Sequence, residues 1–255
     1  MAVRFHLFCY NLKRRGKDSF LIGYNVIFPI IMIFLLGYLS SENYGSEFTG
    51  YHYYTIVMLT FCIAMAVITT AFAGKEDAYK KTAVRFLFSP VAPADIVLAK
   101  LFSCTIAISC CNLIVLIFSL LVFKLPLGSH ILPIVGMLAA ETFAVCAIGL
   151  FIGLGMKNFI FIKNILNIPI CAAAVLAGAF FPLGSLNPGF EFIIKLSPLT
   201  WLNRGIFRYL YDGDSSIMIK VSIISIITAA GFTVLAICLF KKEEFIHGDL
   251  SGYGK

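Results

Sequence analysis

Charge is scarce in this chain. Asp, Glu, Lys and Arg make up 13% of its 255 residues, whereas a soluble domain carries about 25%. With 60% hydrophobic residues and a mean hydropathy of +0.94, the shortage excludes water as the main solvent, so most of the chain belongs in lipid. Signatures of independent chemistry are also missing. There is no G-x-x-x-x-G-K-[ST] phosphate loop, since Gly74-Lys75 runs into Glu76, and there is no H-E-x-x-H. Neither ATP hydrolysis nor zinc-protease chemistry is expected of the chain alone. The four histidines, His6, His52, His130 and His247, lie near span ends without ligand spacing. Seven of the eight cysteines fall in apolar runs and form no framework, so neither disulfides nor a metal site is expected. A small-residue cleavage site after a short apolar core is absent near Met1, so the first span is expected to be retained.

What the chain has is long apolar runs. Six are read, roughly Phe20–Leu39, Tyr53–Ala73, Ile96–Phe123, Ile131–Met156, Phe159–Phe181 and Ile217–Phe240. Backbone groups in lipid must bond internally, so each is a helix. The alternation of a membrane barrel strand is absent. The expected class is an all-α membrane protein with one domain over 1–255: a leading segment 1–19, six spans over 20–240 and a tail at 241–255. Putting both termini in the cytoplasm places fifteen of the twenty Lys and Arg inside, as the positive-inside rule favours. The net charge of +7 then needs no nucleic acid, because anionic inner-leaflet lipid attracts the same residues.

In the leading segment, Phe5, Phe8, Cys9 and Leu12 fall on one side of a helix, with Arg4, Asn11, Lys13, Arg14 and Arg15 mostly on the other. That pattern suits a short helix in the cytoplasmic interface. Residues 74–100 form the longest and most charged inside turn. Its first half reads as a separate helix with Glu76 and Asp77 in the first turn, where the dipole favours anions. Lys80 and Lys81 follow at i+4 from them. Pro90 and Pro93 stop it, and Asp95 caps the next span. Either it only anchors two spans or it docks a cytoplasmic partner.

Residues 182–216 link spans five and six outside. About 35 residues is long for a helix-to-helix connection and points to function. Pro182 and Pro188 break helices, while Gly184 and Gly189 permit turns. Phe190, Phe192, Ile193, Ile194 and Leu196 are too apolar for water, which implies a short re-entrant helix that buries them. Trp201, Tyr209 and Tyr211 suit the interface, and Arg204 and Arg208, one turn apart, can face phosphates or a substrate.

The order AGAFFPLGSL…FIIKLSPLTWLNRGIFRYLYDGD, with Pro182, Pro188 and Pro198, resembles the region before the last span of ABC-2 type transporter permeases. KEDAYKKTAVRFLFSPVAPADIVLAK looks like that family's cytoplasmic coupling helix between spans two and three, with Glu76 at the acidic position, Pro90 at the proline and Lys100 before span three. LKRRGKDSFLIGYNVIFPIIMIFLLGYL is similar to its interfacial helix and first span, with Pro29 central. The resemblance covers nearly the whole chain. It implies an exporter permease in the cytoplasmic membrane, paired with a second permease subunit and driven by two copies of a separate ABC ATPase. ATP and Mg would sit on that partner and none on this chain. Coupling would run through Glu76, Asp77, Lys80, Lys81 and Arg85, and re-entrant helices would lie near the outer exit. Cargo stays open among drug-like compounds, antimicrobial peptides and lipids. The alternative cargo is a polysaccharide or lipid-linked glycan, although the Trp-rich entry to span one typical of such exporters is missing. A secondary carrier would show paired broken helices in two halves, and an intramembrane enzyme would need paired acids or histidines in its spans.

Glu141 is the only carboxylate deep in a span. Such a group faces the bundle interior or water. It is either a pathway contact, with Arg204 and Arg208 further along, or a structural carboxyl bonded to Thr142 or a neighbouring helix. ATP-driven transport needs no proton site, which favours the structural reading. Gly149-x-x-x-Gly153 permits close helix approach within the subunit. Asn158, Lys163, Asn164 and Asn167 read as interfacial residues.

Overall fold

The computed structural model describes residues 2–41, 45, 49–79, 91–155, 159–180 and 188–240. Among them the regular elements are all helical. They are α1 (Ala2–Gly16), α2 (Ser19–Leu39), α3 (Gly50–Tyr79), α4 (Pro93–Val122), α5 (Ile131–Gly155), α6 (Phe159–Leu176), α7 (Pro188–Leu196), α8 (Pro198–Tyr211) and α9 (Ser216–Cys238). By length and composition α2, α3 up to Asp77, α4, α5 and α9 suffice to cross a membrane. The described part of the remaining expected span is the 18-residue α6, about 27 Å at 1.5 Å per residue. Its uninterrupted apolar part is Asn164–Leu176.

The centre of the bundle is α3. Its apolar stretch is buried on nearly all sides, whereas α2, α4 and α9 leave stripes such as Ile31, Phe34, Leu113, Ile117, Ile223 and Ile227 exposed. A helix that is apolar all round but half-exposed in its own chain is suited to a lipid surface. The α3–α5 packing rests on missing side chains. A Cβ on Gly149 would come within 2.6 Å of the Val67 carbonyl oxygen, and one on Gly153 within 3.0 Å of the Ala71 carbonyl carbon. The small-residue face expected to pack inside the subunit does so.

Within α2 the α-helical pattern widens to a π turn at Gly23–Ile27, where the Phe28 N–H reaches the Gly23 carbonyl. Pro29 follows directly, without an N–H and with a ring that would collide with the carbonyl four residues back. The widened turn gives that ring room. Asp18 caps α2, accepting from the Phe20 and Leu21 N–H groups at 3.2 and 3.3 Å.

Three sequence expectations are corrected here. First, Glu76 and Asp77 do not open a separate helix: α3 runs unbroken through both to Tyr79, the last described residue before 91. Nothing between Tyr53 and Tyr79 breaks the helix, and at 30 residues it is about 45 Å long, longer than a hydrocarbon core. Second, Pro93 starts α4 at its first position, with Ala92 at the N-cap position expected for Asp95, which lies in the first turn. Third, Pro188, read as a helix breaker, opens α7, as Pro198 opens α8, because a helix start has no use for the missing N–H. Within the chain Phe192 is 77% and Leu196 75% exposed, so protein does not cover these apolar side chains and a lipid surround suits them.

Candidate functional site

The end of the bundle where α1, α3 and α4 meet holds a charge network. On α1, Arg14 Nε lies 2.8 Å from Glu76 Oε1 and Arg14 Nη1 2.7 Å from Asp77 Oδ1. Arg15 pairs with Glu76 and, at 3.1 Å, with Asp18. Lys100 reaches Asp77 Oδ2 at 2.6 Å and donates to the Ala73 and Gly74 carbonyls at 2.9 and 3.1 Å. The ammonium thus bonds backbone carbonyls of α3 as well as its carboxylate. Of the polar face read for α1, Asn11, Arg14 and Arg15 turn inward while Lys13 stays exposed. Asn11 and Arg15 are buried, Leu7 packs on Ile96, Val97 and Leu154, and Phe5 and Cys9 stay exposed. A cleft of about 320 Å³ beside the network is lined by Arg15, Asp18, Phe20, Thr69, Phe72 and Glu76.

Of the expected coupling residues, Glu76 and Asp77 are thus in contact with α1 and α4. Lys80, Lys81 and Arg85 lie outside the described residues, as does Pro90. Sequence reasoning did not assign Arg14 and Arg15 as partners of Glu76 and Asp77. Its available signal was the placement of two arginines at the end of a helix whose polar face needed a docking surface.

At the opposite end, α8 closes the C-terminus of α6. That terminus leaves backbone carbonyls without helical partners. Ser197 Oγ donates to the Ala173 carbonyl at 2.8 Å, Thr200 Oγ1 to Leu176 at 3.3 Å, and Asn203 Nδ2 to Ala177 at 3.1 Å. The spacing of three puts all of them on one face of α8. Thr60 Oγ1 on α3 donates to Asn203 Oδ1 at 2.6 Å, and the Tyr53 hydroxyl reaches the Gly178 carbonyl at 3.1 Å. Gly178 takes φ +78°, a turn conformation that suits glycine. The SPLTWLN stretch is therefore a polar clamp across three elements. Trp201, Arg204, Arg208 and Tyr211 follow a spacing that avoids the buried face of Leu199, Leu202, Asn203 and Ile206. Arg204 is half-buried and Arg208 exposed. Pro182 lies outside the described residues.

Between these ends a cavity of about 770 Å³ opens among α5, α6, α8 and α9, with Ala64 of α3 behind it. Pro169, inside α6, lines it, as do Trp201, Lys220 and Glu141. Glu141 is 4% exposed and, among the described residues, neither carboxylate oxygen has a hydrogen-bond partner. The structural reading expected Thr142 or a neighbouring helix to serve it. Instead the Thr142 hydroxyl donates to the Leu138 carbonyl at 2.7 Å and accepts from Asn112 Nδ2 at 3.3 Å. Arg204 and Arg208 do not line this cavity.

The model of the ABC-2 type transporter membrane family matches residues 4–211. That range begins in α1, takes in the charge network and the clamp, and ends at the last residue of α8. No curated protein matches the chain.

Proposed function

Because the chain belongs to the ABC-2 type transporter family, we propose that it is the permease subunit of an ATP-driven exporter. It carries an amphipathic compound outward across the cytoplasmic membrane with both its termini inside. Membership itself makes it a membrane component of an ABC transporter, which works with an ATPase partner. In the proposed assembly two such permeases, identical or different, pair over two copies of a cytoplasmic ABC ATPase that holds ATP and Mg. The sixth span is α6 together with the residues that follow it, and α7 and α8 form the re-entrant pair at the outer end.

The observation that supports this reading is the joint made by Arg14, Arg15, Glu76, Asp77 and Lys100. It ties the C-terminus of α3, which leads directly into 80–90, to α1 and to the start of α4. Force applied to 80–90 by an ATPase reaches three helices at once, because a rigid network of charge-assisted bonds transmits displacement. The cation-rich end is then cytoplasmic, in keeping with the distribution of Lys and Arg.

The test is to purify the chain with and without its ATPase in lipid nanodiscs. ATP hydrolysis stimulated only in the complex is expected. An Arg14→Gln/Arg15→Gln double variant should still bind the ATPase but lose at least tenfold in cargo-stimulated hydrolysis. Transport or turnover by the permease alone would overturn the reading.

A further inference from the structure

The cavity beside Glu141 combines two properties that select a ligand. Its volume of about 770 Å³ lies within the roughly 300–1,000 Å³ of small-molecule sites. Its walls are apolar apart from a few groups: Glu141, Lys220, Ser225 and Thr228. Of these, Lys220 is exposed at the start of α9, where its long stem can hold the ammonium in water or among headgroups. Glu141 has no such escape, being buried with both oxygens unpartnered among the described residues.

We propose that this cavity binds an amphiphile bearing an organic cation, with the Glu141 carboxylate as its counter-ion and the apolar walls holding its hydrocarbon. The proposal rests on the exporter reading above and names its substrate class. The charge logic is direct. A buried carboxylate without a donor is unfavourable by several kcal/mol in a nonpolar surround, and a positive charge within a few ångströms reverses that, because attraction is strong at low dielectric. An anionic amphiphile would meet the same carboxylate and be repelled. A neutral one would fill the walls and leave the carboxylate unanswered. Trp201 is the one aromatic residue among those lining the cavity, and an indole is the best ring for an organic cation. Its Nε1–H is bonded to the Lys195 carbonyl at 2.7 Å, so the ring is held in place.

Tetraphenylphosphonium and tetraphenylborate, nearly identical in shape and opposite in charge, test this on the permease–ATPase complex in nanodiscs, with empty nanodiscs subtracted. The wild type should bind the phosphonium at least tenfold more tightly than the borate. Glu141→Gln should abolish that preference, and Glu141→Asp should keep a reduced one. Ser225→Phe, which narrows the cavity from α9 and leaves the carboxylate intact, should weaken phosphonium binding several-fold. Thermal unfolding of each variant reports its fold. Equal binding of the two ions by the wild type, binding of neither, or an unchanged phosphonium affinity in Glu141→Gln would overturn the proposal. Hydrolysis of ATP is read in the same samples. If the complex remains active while the preference is missing, only the substrate class is wrong. If the permease has no effect on hydrolysis at all, the exporter reading fails.

Discussion

Lys100 Nζ lies 2.6 Å from Asp77 Oδ2, and each side chain is 4% exposed. The pair joins the start of α4 to the end of α3. Arg14 holds the other oxygen of the same carboxylate at 2.7 Å. Three elements that are distant in sequence thus converge on one Asp, and most of what distinguishes the charged end from a simple helical hairpin depends on it.

Asp77→Asn should therefore be costly, because it leaves Arg14 and Lys100 facing a neutral group in a buried site. Removing one partner of a buried pair costs about 3–5 kcal/mol. Lys100→Met should cost less, since Asp77 keeps Arg14, and the double variant should recover much of the loss. Unfolding in detergent micelles followed by circular dichroism measures all three. Wild-type stability in Asp77→Asn would show that the pair is not formed.

The α3–α5 contact predicts a steric cost at Gly153. Gly153→Val should destabilise by about 1–3 kcal/mol or more, the range for overpacking, because its Cβ would press on the Ala71 backbone. Gly136→Ala on the same helix meets nothing within 4 Å and should be neutral or slightly stabilising. Melting temperatures of the two variants side by side decide this, and equal values would contradict the packing.

Asn203 bonds both Thr60 and the Ala177 carbonyl. Asn203→Leu should cost more than Ser197→Ala or Thr200→Val, each of which removes a single bond worth about 1 kcal/mol. Limited proteolysis between α6 and α8 is a suitable readout, with faster cleavage in Asn203→Leu as the expected result. Identical cleavage rates would mean that the clamp contributes nothing to holding this segment.

The turn before α9 should respond to acid. Asp214 is held below the usual carboxylate range first by the Ser216 backbone N–H at 2.9 Å, then by the Ser216 side chain and the charges of Arg208 and Lys220. A carboxyl whose folded pKa is depressed adds stability above its unfolded pKa, and that contribution disappears as pH falls through the folded value. Asp214→Asn should thus lower stability slightly near neutral pH, with the gap to the wild type closing as pH falls below the unperturbed carboxylate pKa of about 3.9. Melting curves across that window test the sign, and a gap that widens in acid would contradict it.

Much of the architecture was legible in the sequence. Hydropathy alone located α2 to α5 and α9 as long apolar helices, and the composition of 182–216 marked an unusual connection that α7 and α8 fill. The close approach of Gly149 and Gly153 followed from their spacing. Helix ends were less legible. Prolines read as breakers proved to be helix starts, since the same missing N–H is harmful inside a helix and harmless at its first position. Acids read as opening a helix lie within one, because no local residue interrupts α3 before Tyr79.

By itself the sequence determined that this chain lives in lipid as a set of helices, because the choice between lipid and water is made segment by segment from side chains that each segment already carries. Only the tertiary structure decided that Arg14 and Lys100 share Asp77, that Ser197, Thr200 and Asn203 cap α6, and that Glu141 faces a cavity while Thr142 turns away from it. A charge or a hydroxyl acts over a few ångströms, and which distant residue lies within that distance depends on how the helices are placed against one another.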